Sequence, residues 1–254
     1  MIIISTKENK KIPYHEKVIQ AYNTLINSIH PELITTNPII SGSNAIKYIY
    51  APKSISNDID LYFQTEADYN KAFILLKETY SGIFETNNAA SFNTIKVQLI
   101  KKDFLSPQEL ILSHDLVNVA CAITSDKIYT TQNTHYSWYN QEIVLQNFQL
   151  GPDPSDEERL TKLTILLGRI SKYQERYQLS LSNSLKSFLY EQMDFLTAHP
   201  NISYAHVYNE ILLDYYGRPI VEDFYTSSTT KQLICRLLQI ESLFGWEVDQ
   251  STFC

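Results

Sequence analysis

The sequence predicts an α+β protein, with an α/β alternation in its first part: a mixed sheet with flanking helices, followed by an all-helical domain. Two observations carry this. Short apolar strand patterns alternate with helical ones through about residue 150. After Gly151-Pro152-Asp153-Pro154, the densest cluster of chain breakers, the pattern is helical with no convincing strand. The expected division is therefore 1–150, a domain built on a sheet, and 151–254, a helical domain.

Taken in order, His15 to Ile29 places Val18, Tyr22, Leu25, Ile26 and Ile29 on one helical stripe that ends before Pro31. Pro38-Ile39-Ile40 reads as a short strand, Ser41-Gly42-Ser43 as a turn, and Asn44 to Tyr50 as a helix stopped by Pro52. Asp58 to Phe63 is a strand, and Glu66 to Tyr80 a helix with Ala72, Phe73, Leu76 and Tyr80 turned inward. Thr94 to Ile100 is a strand with Ile95, Val97 and Leu99 on one face. Ser106-Pro107-Gln108-Glu109 opens a helix with a capping box and proline at its first position. Leu116 to Ile123 reads as a buried strand and Tyr129 to Trp138 as weakly extended, while Glu142 to Leu150 is ambiguous. The later helices are expected over 155–178, 182–198, 203–215 and 231–244.

A chain of 254 residues, 44% hydrophobic and 19% charged, needs no disulfide or metal staple. Its six glycines stand far apart, at 42, 82, 151, 168, 217 and 245, which excludes phosphate loops built on clustered glycines. The formal charge of −7 argues against long duplex DNA as a partner. All five arginines fall after residue 150. Cys121, Cys235 and Cys254 have no metal-type spacing and read as reduced thiols of a cytoplasmic protein. Met1-Ile-Ile-Ile-Ser is too short for a signal-peptide core, and no apolar run approaches a membrane span of about 18 residues.

The segment richest in chemistry is Gly42-Ser43 followed, fourteen residues later, by Asp58-Ile59-Asp60. Alternate residues of a strand share a face, so the two carboxylates point the same way, about 6.5 Å apart along the backbone. Their repulsion is tolerable where a divalent cation neutralises it, and Mg²⁺ takes one or two carboxylates completed by phosphate oxygens and water. The turn before a helix offers backbone N–H groups and the Ser43 hydroxyl to terminal phosphates. The plain alternative is an ordinary turn and a solvated strand edge.

A strand, a Gly-Ser turn opening a helix, and Asp-hydrophobic-Asp on the next strand resemble the nucleotidyltransferase superfamily of DNA polymerase beta-like fold, over about residues 34–124. The order of elements also resembles uncharacterised nucleotidyltransferase-like proteins of phages, large viruses and bacterial defence systems. This resemblance implies two Mg²⁺ (or Mn²⁺) ions on Asp58 and Asp60. It also implies a third acid on a neighbouring strand, where Thr94 to Ile100 offers Gln98, which can neither supply charge nor act as a base. Asp115, in Ser113-His114-Asp115-Leu116-Val117-Asn118, is the candidate third ligand; its other reading is a turn residue capping local backbone. His114 as a base competes with a solvated histidine.

On the 155–178 helix, Lys162, Arg169, Lys172 and Arg176 fall within an arc of about 80°, beside an apolar face of Leu160, Leu163, Leu167, Ile170 and Tyr177. Arg159 stands at the helix start. The stripe is either a solvated charged face or a clamp on triphosphate charge across a cleft from Asp58 and Asp60. By the resemblance, Arg169 and Lys172 contact phosphate and Tyr173 stacks on a base; a tyrosine there is otherwise core.

The resemblance thus implies an ATP-type nucleoside triphosphate site and a template-independent transferase. Such an enzyme moves a (d)NMP from a (d)NTP to a hydroxyl of a nucleotide, oligonucleotide, tRNA end or protein side chain. It further implies an anti-phage or toxin–antitoxin setting with a partner effector or antitoxin. The competing reading, motivated by Gln98, is an inactive nucleotide- or protein-binding module of the same fold.

Overall fold

The computed structural model describes residues 1–12, 14–54, 58–101, 104–150, 154–200 and 227–239. Its contacts divide the chain into two compact units, 1–147 with 176–180, and 148–175 with 181–254.

The first unit is built on an eight-stranded mixed sheet. Its strands are β1 (Ile2–Ser5), β2 (Ile39–Ser41), β3 (Ile59–Tyr62), β4 (Ile83–Glu85), β5 (Ala89–Phe92), β6 (Val97–Ile100), β7 (Ala122–Ile123) and β8 (Ile128–Thr131). They lie in the order β1-β8-β7-β2-β3-β6-β5-β4, and only β3 and β6 run parallel. That parallel pair needs a crossover, which α3 (Glu66–Thr79) and the β4–β5 hairpin supply. Strand alternation puts Leu61, Ala90, Phe92, Val97 and Leu99 in the core. Tyr22 and Ile26 of α1 (His15–Ile29) and Ala72 and Leu76 of α3 are buried as well. Asp60, Gln98 and Ser91 alternate with those core positions and stay half-buried.

The helix of residues 43–49, α2 (Ser43–Ile49), starts directly after Gly42. The predicted capping box is formed: Ser106 Oγ accepts from Glu109 N–H, and the Glu109 carboxylate accepts from Ser106 N–H at 2.9 Å, opening α4 (Pro107–Ser113).

Four local expectations are corrected. The apolar run Leu116–Ile123 is no continuous strand: Val117–Val119 forms a 3₁₀ turn and only Ala122–Ile123 pairs. The turn's carbonyls are taken by side chains instead, Val117 and Ala120 by the Thr134 hydroxyl and Asn118 by the Trp138 indole N–H at 2.8 Å. Those donors stand on α5 (Gln132–Asn140), a helix capped by Thr131, where an extended segment was expected. The 94–100 strand begins only at Val97, because Asn93 to Lys96 turn, with Lys96 at φ 53°. The hairpin of β4 and β5 has too little alternation to be read in advance, and Ser180–Leu181 forms a two-residue strand where none was expected.

The second unit holds helix α6 (Asp156–Tyr177) up to Glu175 and α7 (Asn183–Ala198), capped by Ser182 Oγ accepting from Leu185 N–H. A further helix, Ser227–Leu238, packs on α7. Arg159 lies over the Phe195 ring at 4.0 Å and donates to Gln192 Oε1 at 2.9 and 3.2 Å. The predicted 203–215 helix and the breaker residues 151–153 lie outside the described residues.

Candidate functional site

Where β2 hands over to α2, Gly42 adopts φ 63° and ψ −138°, a conformation open to glycine and strained for any L side chain. Two contacts pin the turn. The Ser41 hydroxyl donates to the Cys121 carbonyl at 2.7 Å, and the Gly42 N–H reaches the same oxygen at 3.3 Å. Ser41 Oγ also lies 2.9 Å from His114 Nε2. A hydroxyl has one proton, already given to Cys121, so the His114 ring must be the donor in this second bond. His114 thereby holds the turn.

The two acids come from β3 and the residue before it. Asp58 is exposed and Asp60 half-buried. Across the loop between them and the turn, the buried Asn44 donates from Nδ2 to the Asp58 carbonyl at 2.8 Å, and Ile59 N–H donates to Lys96 O at 2.9 Å. Asn44 therefore couples the first turn of α2 to the backbone of the first acid. The parallel register sets Asp60 beside Gln98, and Gln98 beside Ser91. Asp60 thus has a neutral amide next to it where the resemblance implies a third acid.

Asp115 follows α4, whose C-terminal carbonyls are covered by a strap rather than by a glycine cap. The Gln146 amide donates to Ile111 O (2.9 Å) and His114 O (3.1 Å), and the Asn147 amide donates to Leu112 O and His114 O. Backbone N–H groups of Gln146 and Asn147 both bond Asp115 O, at 2.7 and 3.1 Å. The strap fixes His114 and Asp115 together, and His114 in turn meets the Ser41-Gly42 turn. Among the described residues, no three His, Cys, Asp or Glu side chains converge as a metal site, so Asp58, Asp60 and Asp115 form no ready-made triad.

Two groups near the turn carry shifted proton affinities. Burial pushes the Cys121 thiol up to about 12, which makes it inert. Burial also holds His135 below its ordinary value of 6.5, where its Nδ1 lies 2.7 Å from the Tyr50 hydroxyl.

On α6, within its own unit, Arg169 is exposed, Lys172 half-buried and Tyr173 buried at 8% exposure. Lys162 pairs with Glu158 at 2.9 Å and donates to Gln149 O, so it belongs to local structure, as does Arg159. Sequence reasoning missed Asn44, Gln146 and Asn147. The only available signal was a polar side chain at a position the fold buries, and that shows once the fold is known.

The family model described as Gabija anti-defense 2 family protein matches residues 6–140, more than half of the chain. The chain belongs to this family. No curated protein matches it by sequence. Among solved structures, this Gabija anti-defense 2 family member is similar to a tRNA-processing enzyme in its apo form I, with TM-score 0.54 and 13% identity. That match covers 95% of this chain and 62% of the other. A CCA-adding enzyme in complex with CTP gives TM-score 0.54 at 10% identity, over 83% of this chain and 51% of that one. A tRNA-processing enzyme, complex 3, gives 0.52 at 14%, over 88% and 59%. The likeness is one of fold, the nucleotidyltransferase-like fold, and the chain spans about half to three-fifths of those structures' length.

Proposed function

We propose that this family member is a template-independent nucleotidyltransferase. On this reading it takes a (d)NTP at the Gly42-Ser43 turn and the Asp58/Asp60 pair and passes the nucleoside monophosphate to a hydroxyl. The supporting observation is the Asn44 bond to Asp58, which ties the glycine turn and the acidic strand into one constellation within this fold. We read 1–150 as the catalytic domain and 151–254 as a helical accessory domain. Phosphate contact by Arg169 and Lys172 and base stacking by Tyr173 rest on the sequence resemblance alone.

The residues fit one divalent ion well: two carboxylates, with phosphate oxygens and water to complete six ligands, suit Mg²⁺ or Mn²⁺. When bound, it would neutralise triphosphate charge and acidify the acceptor hydroxyl. Asp115 is proposed as the additional acid that a second ion requires. The chain's own part is to hold phosphate at the Ser43 amide and hydroxyl, the Gly42 N–H being committed to the Cys121 carbonyl, and to keep the acids in register with the turn. In transfer, the acceptor oxygen bonds the α-phosphorus, the bond to the β-phosphate oxygen breaks, and pyrophosphate leaves. The acceptor proton goes to a carboxylate or to solvent.

Gln98 beside Asp60 favours a second reading, a nucleotide-binding module without transfer. The test is incubation with each labelled NTP and dNTP plus Mg²⁺ or Mn²⁺, next to Asp58→Ala/Asp60→Ala. Pyrophosphate release by the parent alone supports transfer; metal-dependent binding without release supports the module. Activity that survives in the double variant would overturn the site. We infer from the family description an anti-defence role toward Gabija, with a defence protein as partner, and cytoplasmic action. No helix among the described residues is long and apolar enough to cross a membrane.

A further inference from the structure

A cleft of about 310 Å³ is lined in part by Gln146 of the strap that holds Asp115. Its wall is one face of α5, with Asn133, Tyr136 and Asn140, and its floor is Glu142, Gln146 and Val117. Three features restrict what it can hold. The floor is fixed, because the Gln146 amide is committed to the α4 carbonyls, Val117 N–H bonds Val144 O, and Ser137 Oγ bonds Glu142 O at 2.6 Å. Tyr136 is 56% exposed with its hydroxyl accepting from Gln132, which leaves a ring face as a platform. The carboxamides of Asn133 and Asn140 and the Glu142 carboxylate make no hydrogen bond within the described chain, so they are available to a ligand.

No lysine or arginine lines the cleft, and Glu142 adds negative charge, so phosphate is disfavoured there. An aromatic face beside amide and carboxylate groups matches a nucleobase, which stacks on the ring and presents donors and acceptors at its edges. The volume lies at the small end of ligand pockets, about 300–1,000 Å³, which suits one nucleoside rather than an oligonucleotide.

We propose that the α5 cleft is a phosphate-free nucleoside site. This site does not rest on the transferase reading. Gln146, in the floor of the cleft, also donates its backbone N–H to the Asp115 carbonyl at 2.7 Å.

The experiment is calorimetric titration of the full chain with adenosine, cytidine, guanosine and uridine, and with their 5′-monophosphates. At least one nucleoside should bind, and more tightly than its monophosphate. Tyr136→Ala and Asn140→Ala, both at exposed positions, should weaken it roughly ten- to a hundredfold. They should leave Mn²⁺-dependent binding of a non-hydrolysable NTP within about twofold, since stacking and amide contacts at α5 are separate from the acids. No binding by any nucleoside at millimolar concentration overturns the proposal, as does tighter binding of the monophosphates or indifference to both variants. Loss of NTP binding in the parent, with nucleoside binding intact, sinks the triphosphate site instead and leaves this one standing.

Discussion

Replacing Gly42 with alanine adds one methyl group at the turn between β2 and α2. The new Cβ would lie 3.7 Å from His114 Cε1, an ordinary contact, so crowding costs nothing. The whole penalty is in the backbone, held at φ 63° and ψ −138°. A non-glycine residue there costs about 1–3 kcal/mol, because its Cβ meets its own carbonyl oxygens. If the turn keeps its shape, the first unit melts roughly 2–12 °C lower, at about 2–4 °C per kcal/mol for a chain of this size. If the turn relaxes instead, the Gly42 N–H leaves the Cys121 carbonyl and the start of α2, where the triphosphate is proposed to sit, is re-aimed. Melting temperature then falls less, while Mn²⁺-dependent NTP affinity falls tenfold or more. Thermal unfolding and NTP titration on the same preparation separate the two. A variant unchanged in both would refute the claim that this conformation requires glycine and serves the site.

Further outcomes follow from the same geometry. Asp58→Asn, at an exposed position, should remove Mn²⁺-dependent NTP binding while shifting stability by no more than about 0.5 kcal/mol, read by urea unfolding. Gln98→Glu sets a like charge beside Asp60 and should cost about 0.2–1 kcal/mol without metal. Mn²⁺ should raise its melting temperature more than the parent's, and an equal response would dismiss that neighbourhood as an ion site. Arg159→Ala removes the cation over Phe195 and strips the buried Gln192 of its donor, for a loss of about 1–3 kcal/mol; Arg159→Lys should not restore it, because the planar fork is gone. His135 is held below 6.5 by burial, so the unfolded chain binds its proton more readily. Its share of stability is complete above pH 6.5 and is lost as the pH falls from there toward the folded value, and His135→Phe should flatten that slope.

Local signals carried far in this chain. The Ser106/Glu109 box, the stripe of residues 15–29 and the pattern of residues 66–79 each fold as their own few residues dictate, because helix caps and helical faces are decided within a turn or two. The same holds for Gly42 between a strand and a helix, whereas only Asp60 of the expected acid pair lies within β3. Leu116–Ile123 marks the limit. A run of buried apolar residues fits a strand or a turn equally, and the choice fell to Thr134 and Trp138, side chains of a later helix that take the run's carbonyls.

The sequence alone therefore determined what is local: helix caps and faces, a glycine between strand and helix, and the absence of a glycine-rich loop. Tertiary structure decided which groups meet. The pairing of β3 with β6 bore out Gln98 as the neighbour of Asp60, which the resemblance had implied, while folding alone brought Asn44 to Asp58, His114 to Ser41 and Gln146 to Asp115. Two of these last three meetings join residues more than thirty positions apart, and the other spans fourteen; at such separations no local pattern records the partner, only the assembled fold does.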